Sequence, residues 1–207
     1  MTSYEIIFKE VTIEQSKSKF GGQPDWLTRP EWPISNETGK PMRFICQINL
    51  SEIGFDNFDA KYAYLFMTDE KEYVDGTWEP DGGENAIILQ PGENKIRTEK
   101  IVDGPSLYKM IESPSSSQLV PKDFKSSIEL KKTIEKESTD NLDIINKLNG
   151  APVFLQDEEY PSDEKWNLLI QLDSANVPFY VNFGDAGVGY GFISEDGEKA
   201  KFLWQCV

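Results

Sequence analysis

The sequence predicts a mainly β fold with minor α structure, built as a duplicated β unit within a single roll-like or sandwich-like domain. Short apolar runs of strand length alternate with glycine- and proline-containing turns along most of the chain. Several of these runs recur in the same order in the second half. A chain of 207 residues also buries enough surface to form a core without a disulfide or a metal.

The clearest recurrence is a turn that leads into a strand with an acidic end. Asp59 and Asp185 mark the two turns and lie 126 positions apart, and Tyr64 and Tyr190 keep this offset in the strands that follow. Three further matches pair residues 21–26 with 149–154, residues 43–49 with 166–173 around Gln47 and Gln171, and residues 86–90 with 201–207. Four matches in one order indicate an internal duplication.

These matches define the expected organisation of the chain. We expect one domain over residues 1–207, with a first repeat at about 18–90 and a second repeat at about 149–207. Residues from about 91 to 148 form the insertion that connects them, with helical and loop structure.

The first repeat follows an entry strand at residues 4–11 and starts with a glycine–proline turn and a proline-rich loop. Residues 42–50 form a nearly continuous apolar run, which predicts a central strand. Gln47 lies within this run, so its amide needs hydrogen-bond partners. Further strands are expected at residues 62–68, 73–78 and 86–90.

The insertion differs in composition, since clusters of proline, glycine and serine indicate loops. Ser106 can cap a short helix through Glu112, and a second helix is expected to start near Ser138 and to end at Gly150. Residues 126–136 fit either a strand or a helix. The second repeat continues with expected strands at residues 166–173, 178–183 and 201–207.

The net charge of −15 disfavours some classes of partner and favours another. Binding of nucleic acid requires a basic surface, so we expect no nucleic acid partner, and an anionic membrane is equally disfavoured. A basic protein or peptide, by contrast, is attracted to an acidic surface. The alternative is that the charge only keeps the protein soluble.

The expected compartment is the cytoplasm. The sequence shows no signal peptide and no apolar stretch of about 20 residues that would span a bilayer. Cys46 and Cys206 lie in apolar, strand-like runs, where we expect free buried thiols rather than a disulfide.

The absence of histidine from the sequence excludes several kinds of site. Serine–histidine and cysteine–histidine catalytic pairs and the common zinc sites all require an imidazole. No cofactor is expected. Gly184, Gly187 and Gly189 form the pattern G-x-x-G-x-G, but a strand rather than a helix follows it, so close packing of the backbone is a better explanation than a dinucleotide site.

Two pairs of polar residues recur in both repeats and are candidate site residues. Asp59 and Asp185 suit a turn-fixing role through backbone N–H groups, or alternatively acid–base chemistry or a hard cation. Gln47 and Gln171 are expected to satisfy backbone groups and could face one another across the axis of the repeat, with substrate contact as the alternative.

Aromatic residues in the proline-rich loop suggest a different kind of site. Trp26 and Trp32 lie there, between residues whose backbone is stiffened by proline. A rigid loop with large aromatic side chains is typical of a peptide-binding rim.

The ordered motifs also resemble a known family. Residues 19–26, 32–33 and 41–50 resemble the first signature of the YwqG-like family, and residues 171–174, 183–190 and 204–206 resemble its second. The resemblance spans nearly the whole chain and implies a mainly β roll of unknown biochemical function, with no catalytic residue to carry over. Asp173 and Tyr190 lie in the second signature and join the candidate binding residues.

A more distant resemblance concerns partners. The Gly-Gly-x-Pro-x-Trp and Pro-Met-x-Phe-x-x-Gln elements are similar to those of the programmed cell death protein 2 family, whose members are chaperones for a ribosomal protein. Those relatives often carry a cysteine pair in the loop before the second element, whereas residues 34–40 contain no cysteine.

Together these observations predict a non-enzymatic protein- or peptide-binding module, either chaperone-like or of the immunity type. The alternatives are a carboxylate-based enzyme and a small-molecule-binding roll with its site between the two halves.

Overall fold

The computed structural model describes residues 1–9, 17–70, 74–135 and 145–207. It confirms the mainly β fold class, with 43% of residues in strands and 2% in helix. The helical part is a single 3₁₀ turn at Leu50–Ile53, which Asn49 caps by accepting the Ser51 N–H.

Fourteen strands occur in the described part of the chain. In order they are β1 (Thr2–Lys9), β2 (Lys19–Gly21), β3 (Trp32–Pro33), β4 (Arg43–Asn49), β5 (Tyr62–Met67), β6 (Asn85–Gln90), β7 (Thr98–Glu99), β8 (Tyr108–Glu112), β9 (Leu119–Asp123), β10 (Lys125–Ile134), β11 (Lys147–Leu148), β12 (Trp166–Asp173), β13 (Val188–Ser194) and β14 (Ala200–Gln205).

Ten of these strands form one antiparallel sheet in the order β14-β13-β12-β11-β1-β10-β2-β4-β5-β6. The two edge strands lie close to one another, so the sheet is nearly closed into a barrel. A Cβ at Gly191 in β13 would lie 3.1 Å from Cδ1 of Ile87 in β6, and Lys201 in β14 forms an ion pair with Asp81 just before β6. Near-closure protects both sheet edges.

The strand order is symmetric about the β1–β10 pair. Outward from β10 the strands are β2, β4, β5 and β6, and outward from β1 they are β11, β12, β13 and β14. The second set repeats the first in chain order, which is the arrangement of an approximate twofold axis between β1 and β10. Each half places its own first strand beside the other half, because β1 pairs with β11 and β10 pairs with β2. The halves are therefore interlocked.

Alternation along the strands separates three apolar clusters. The side chains on the inner face of the sheet form the central core, to which both halves contribute, for example Ile45, Leu65, Leu169 and Ile170. On the outer face, a second cluster around Tyr64 and a third around Tyr190 lie in the first and second half. Loop residues pack on each outer cluster: Trp26 on the former, and Phe154 and Leu155 on the latter.

Some expected elements differ in the structure. The apolar residues of the segment 107–112 have helical spacing, but the segment contains the strand β8. The reason is that Tyr108–Glu112 pairs with Leu119–Asp123 and that Tyr108 stacks on Tyr180. Residues 74–78 are turns rather than a strand, and residues 178–183 are irregular, although Phe179 and Phe183 are buried.

The region expected to be an insertion contains part of the second half. Residues 126–136 fall largely in β10, so the ambiguous segment is a strand. The helix expected from Ser138 begins outside the described residues, and Lys147–Leu148 near its expected end is a strand. Since β10 and β11 correspond to β1 and β2, the second half of the sheet begins near residue 125.

The expected state of the cysteines agrees with the structure in part. Cys46 and Cys206 are both free thiols; Cys46 is buried and Cys206 is partly exposed. Burial raises the pKa of the Cys46 thiol, so this residue is protonated at neutral pH.

Candidate functional site

Three polar side chains on the outer face of the first half hold the loop that covers it. The Asp25 N–H donates to Gln47 Oε1 at 2.8 Å, and the Tyr64 hydroxyl donates to the Asp25 carbonyl at 2.9 Å. Gln90 Oε1 accepts from the Leu27 and Thr28 N–H groups, at 3.1 Å each. These bonds fix the loop through its backbone.

The second half repeats these bonds. The Val153 N–H donates to Gln171 Oε1 at 2.8 Å, and the Tyr190 hydroxyl donates to the Val153 carbonyl at 2.9 Å. Gln205 Oε1 accepts from the Leu155 and Gln156 N–H groups, at 3.1 Å each. The matching partners are 128 positions apart in the loops, 124 for the first glutamines and 126 for the tyrosines.

These bonds decide the role of three candidate residues. Gln47, Gln171 and Tyr190 are fully buried and use their polar atoms on the backbone of their own half, as expected for the glutamines. The two glutamines do not face one another, because each lies under its own outer loop. Burial raises the pKa of Tyr190 to about 12, so its hydroxyl remains a hydrogen-bond donor at neutral pH.

A buried lysine lies below each loop, and neither lysine was predicted from the sequence as a site residue. Lys19 Nζ lies 2.7 Å from Asp25 Oδ2, and Lys147 Nζ lies 2.7 Å from Glu135 Oε1. Burial opposes ionisation of Glu135, but hydrogen bonds from the Ala151 N–H and Lys147 hold its pKa below the usual range. The offset of 128 between the two lysines was the signal that could have identified them.

The two candidate aspartates at the turns, Asp59 and Asp185, do not lie in a buried site. Asp59 and Asp185 are both exposed, and within the described residues neither carboxylate accepts a backbone hydrogen bond, so the expected turn-fixing bonds are absent. Asp173 does have such a role: Oδ1 accepts the Ala175 N–H at 2.9 Å and Oδ2 accepts from Asn176 Nδ2 at 2.6 Å. No cluster of potential metal ligands occurs in the part of the chain that is described.

Four aromatic rings in each half make the same set of contacts between sheet and loop. In the first half, Trp26 packs on Tyr64 and Phe66, and Trp32 packs on Trp26 and Phe66. In the second half the corresponding rings are those of Phe154, Tyr160, Tyr190 and Phe192, with the same pattern of contacts.

The two aromatic groups differ in how they are covered. Trp32 is fully buried and donates through Nε1 to the Met42 carbonyl at 2.7 Å, so it offers no surface to a partner. Trp26 is partly exposed and lies beside Val102, whose carbonyl accepts from its Nε1 at 3.4 Å. Tyr160, the counterpart of Trp32, is 38% exposed.

An open pocket lies at this position in the second half. Its lining residues are Tyr160, Glu164, Lys165, Trp166, Asn167 and Glu195, and its volume is about 320 Å³. Glu164 pairs with Lys199 at 2.7 Å and Glu195 with Lys165 at 3.6 Å, and all four side chains are at least half exposed. The pocket therefore combines aromatic rings with solvated carboxylates. This pocket was not predicted from the sequence, although the offset of 128 makes Tyr160 equivalent to Trp32.

Residues 18–206 match the model of the family described as Domain of unknown function (DUF1963). No curated protein matches the chain. Within the described residues, no helix is both long enough and apolar enough to cross a membrane.

Proposed function

The chain belongs to the DUF1963 family, whose description assigns no activity, and from this premise we propose that it is a non-enzymatic, cytoplasmic module that binds a basic protein or peptide segment. The observation that carries the proposal is the open pocket of the second half. It exposes an aromatic ring, that of Tyr160, in a pocket that Glu164 and Glu195 also line. Aromatic anchors with a charged rim are typical of protein-binding surfaces.

Charge supports the same class of ligand. The net charge of −15 attracts basic segments over the distance of a Debye length, about 8 Å at physiological ionic strength. The carboxylates at the pocket are opposed by exposed lysines, and such surface pairs contribute only about 0–1 kcal/mol, so a ligand cation can replace them.

The resemblances of the sequence are consistent with a binding role. The chain resembles the YwqG-like family over both of its signatures, and more distantly the chaperones of the programmed cell death protein 2 family. A chaperone-like or immunity-type module needs a surface complementary to its client and no catalytic group. The exposed ring of Tyr160 beside two glutamates supports this role.

The alternative functions have less support. Acid–base chemistry by Asp59 and Asp185 requires an environment that tunes a carboxylate, whereas both residues are exposed. A ligand site between the halves requires open space there, whereas buried side chains of both halves fill the interior of the sheet.

Titration with a synthetic lysine- and arginine-rich peptide at low salt tests the proposal. We expect binding that weakens with added salt and with Glu195→Lys. Glu129→Lys is the matched control, because Glu129 is also an exposed glutamate that pairs with one lysine, Lys9, but it lies on β10. Failure of any basic peptide to bind at low salt would refute the proposed function. Equal weakening by both variants would refute the pocket as its site.

A further inference from the structure

The first half covers its own aromatic group with a segment of the insertion. The short strand β7 pairs with β3, so that Trp32 is opposite Glu99 and Pro33 is opposite Thr98. The Ile34 N–H extends this pairing by donating to the Arg97 carbonyl at 3.1 Å. An extended segment thus adds to the loop as a strand.

The same segment then crosses the face of Trp32 at a glycine. A Cβ at Gly104 would lie 2.7 Å from Cζ2 of Trp32, so only glycine allows this approach. The Gln23 amide holds Gly104 by exchanging two hydrogen bonds with its backbone, at 2.9 and 3.0 Å. The next residue, Pro105, accepts the Phe44 N–H at 2.9 Å.

The second half repeats the aromatic and strand part of the receiving surface but not the cover, and Ala151 replaces Gln23, whose amide holds Gly104. Tyr160 and Pro161 stand in the positions of Trp32 and Pro33, and Leu168 stands in that of Phe44. Among the described residues, no strand or bridge pairs with Tyr160–Pro161 or crosses Leu168 as Ser106 crosses Phe44. The exposed ring of Tyr160 results from this difference.

The charges at this position also differ between the halves. In the first half, Arg43 neutralises Asp69 at 2.6 Å and donates to the Ser106 carbonyl. In the second half Glu195 replaces Asp69, while Asn167 replaces Arg43. Glu195 pairs at 3.6 Å with Lys165, whose side chain is 82% exposed, and a ligand cation can displace this lysine.

We infer that the open pocket beside Tyr160, together with the segment Tyr160–Pro161, forms a groove that binds an extended basic segment of a partner protein. This segment adds as a strand along Tyr160–Pro161 and places a glycine over the Tyr160 ring. The inference rests on the proposed function and specifies the ligand. Residues 94–106 of the chain itself show the kind of sequence that such a surface accepts, since Lys95, Arg97 and Lys100 outnumber Glu99 and Asp103 and precede Gly104. The groove recognises the backbone by strand addition and the sequence through the glycine and the cations.

Calorimetric titration of the full-length protein with a synthetic peptide of the sequence of residues 94–106 tests the inference. We expect saturable binding, weakened about tenfold or more by Tyr160→Ala in the protein and about tenfold by Gly104→Ala in the peptide. Tyr180→Ala is the matched control, since Tyr180 is 41% exposed and stacks on Tyr108 instead. Circular dichroism checks that both protein variants are folded.

Each other outcome counts against the inference. No binding at about 1 mM peptide, or equal loss in Tyr160→Ala and Tyr180→Ala, overturns it. If a lysine-rich peptide without glycine binds equally well and is insensitive to Tyr160→Ala, the proposed function survives and the inference fails. If no basic peptide binds, both fail. Self-association of the protein that Tyr160→Ala abolishes would make a second copy the occupant and also overturn the inference.

Discussion

Gln47 and Gln171 make the same hydrogen bond in the two halves of the sheet. Each side-chain oxygen lies 2.8 Å from a backbone nitrogen of the covering loop, that of Asp25 or of Val153. Each side-chain nitrogen donates to a backbone carbonyl just before the neighbouring strand of the sheet: that of Lys17 before β2, or that of Ile145 before β11. One buried amide thus ties two loop segments to a central strand in both halves.

Removal of either amide should therefore destabilise the protein. Gln47→Ala and Gln171→Ala leave buried backbone groups without partners, which costs about 1–3 kcal/mol per group. We expect each variant to lower the free energy of unfolding by about 2–4 kcal/mol in urea titrations. Gln118→Ala, at an exposed position of the β8–β9 turn, is the control and should change it by less than about 0.5 kcal/mol. Equal effects at Gln118 and Gln47 would contradict this role.

The glycines of the second-half turn should not tolerate alanine. The φ angles of Gly187 and Gly189, unlike that of Gly184, are not in the left-handed region, so the reason at these two positions is crowding: a Cβ at Gly187 would lie 1.7 Å from the Phe183 carbonyl oxygen, and one at Gly189 would lie 2.6 Å from Phe202 Cζ. We expect Gly187→Ala to destabilise by about 3 kcal/mol, since backbone must move to make room.

Gly39→Ala separates this crowding from backbone strain. Gly39 has a φ of 67° but no atom within 4 Å of its Cβ position, so its substitution should cost only about 1 kcal/mol. Thermal unfolding of Gly187→Ala, Gly189→Ala and Gly39→Ala measures the difference. A smaller loss of stability in Gly187→Ala than in Gly39→Ala would show that the turn relaxes freely.

The ion pair of Glu135 and Lys147 should make stability depend on pH. The folded-state pKa of Glu135 is lowered from 4.5, so its stabilising contribution is complete above that value and is lost as the pH falls through the lower folded-state pKa. We expect Glu135→Gln to be less stable than wild type by about 2 kcal/mol at pH 7. The difference should shrink below pH 4.5, as measured by urea unfolding across that range.

Glu129→Gln is the control for this pH dependence. The side chain of Glu129 is 62% exposed and forms a surface pair with Lys9, which contributes about 0–1 kcal/mol. Its substitution should leave the pH dependence nearly unchanged. A difference between Glu135→Gln and wild type that grows on acidification would contradict the assignment.

The repeated unit was predictable because its information is local. Turn glycines, the strand residues around Gln47 and Gln171, and the tyrosines at an offset of 126 are read directly from the sequence. The structure keeps these correspondences in its hydrogen bonds. Burial of a glutamine within an apolar strand also predicts that its amide is satisfied by backbone, whatever the fold.

Other features depend on contacts between distant segments and left no local pattern. The exchange of β1 and β10 between the halves is a choice of neighbours that strand propensity does not encode. The helical spacing at residues 107–111 was overridden by pairing with β9. Trp32 is covered because residues 98–106 lie over it, whereas Tyr160 has no such cover among the described residues and is exposed. The open groove was therefore not predictable from either aromatic residue alone.

The difference in cover leads to the last prediction, which compares Trp32→Ala with Tyr160→Ala. Trp32 is fully buried beneath Gly104 and β7, so its truncation should cost about 3–5 kcal/mol of unfolding free energy. Tyr160 is at the equivalent position but 38% exposed, and its hydroxyl is not buried under another strand of the described residues. Its truncation should cost about 1 kcal/mol, as for a partly exposed ring.

Urea unfolding of both variants, with Tyr180→Ala as a second exposed tyrosine, measures this asymmetry. Because the two rings occupy equivalent places, the difference in their contributions reports the cover together with the larger indole of Trp32 and its hydrogen bond to the Met42 carbonyl. A loss of 3 kcal/mol or more on truncating Tyr160 would mean that this ring is part of the core, since the stability of a folded domain is only about 5–15 kcal/mol. A small loss would agree with a ring whose exposed part is available to a ligand.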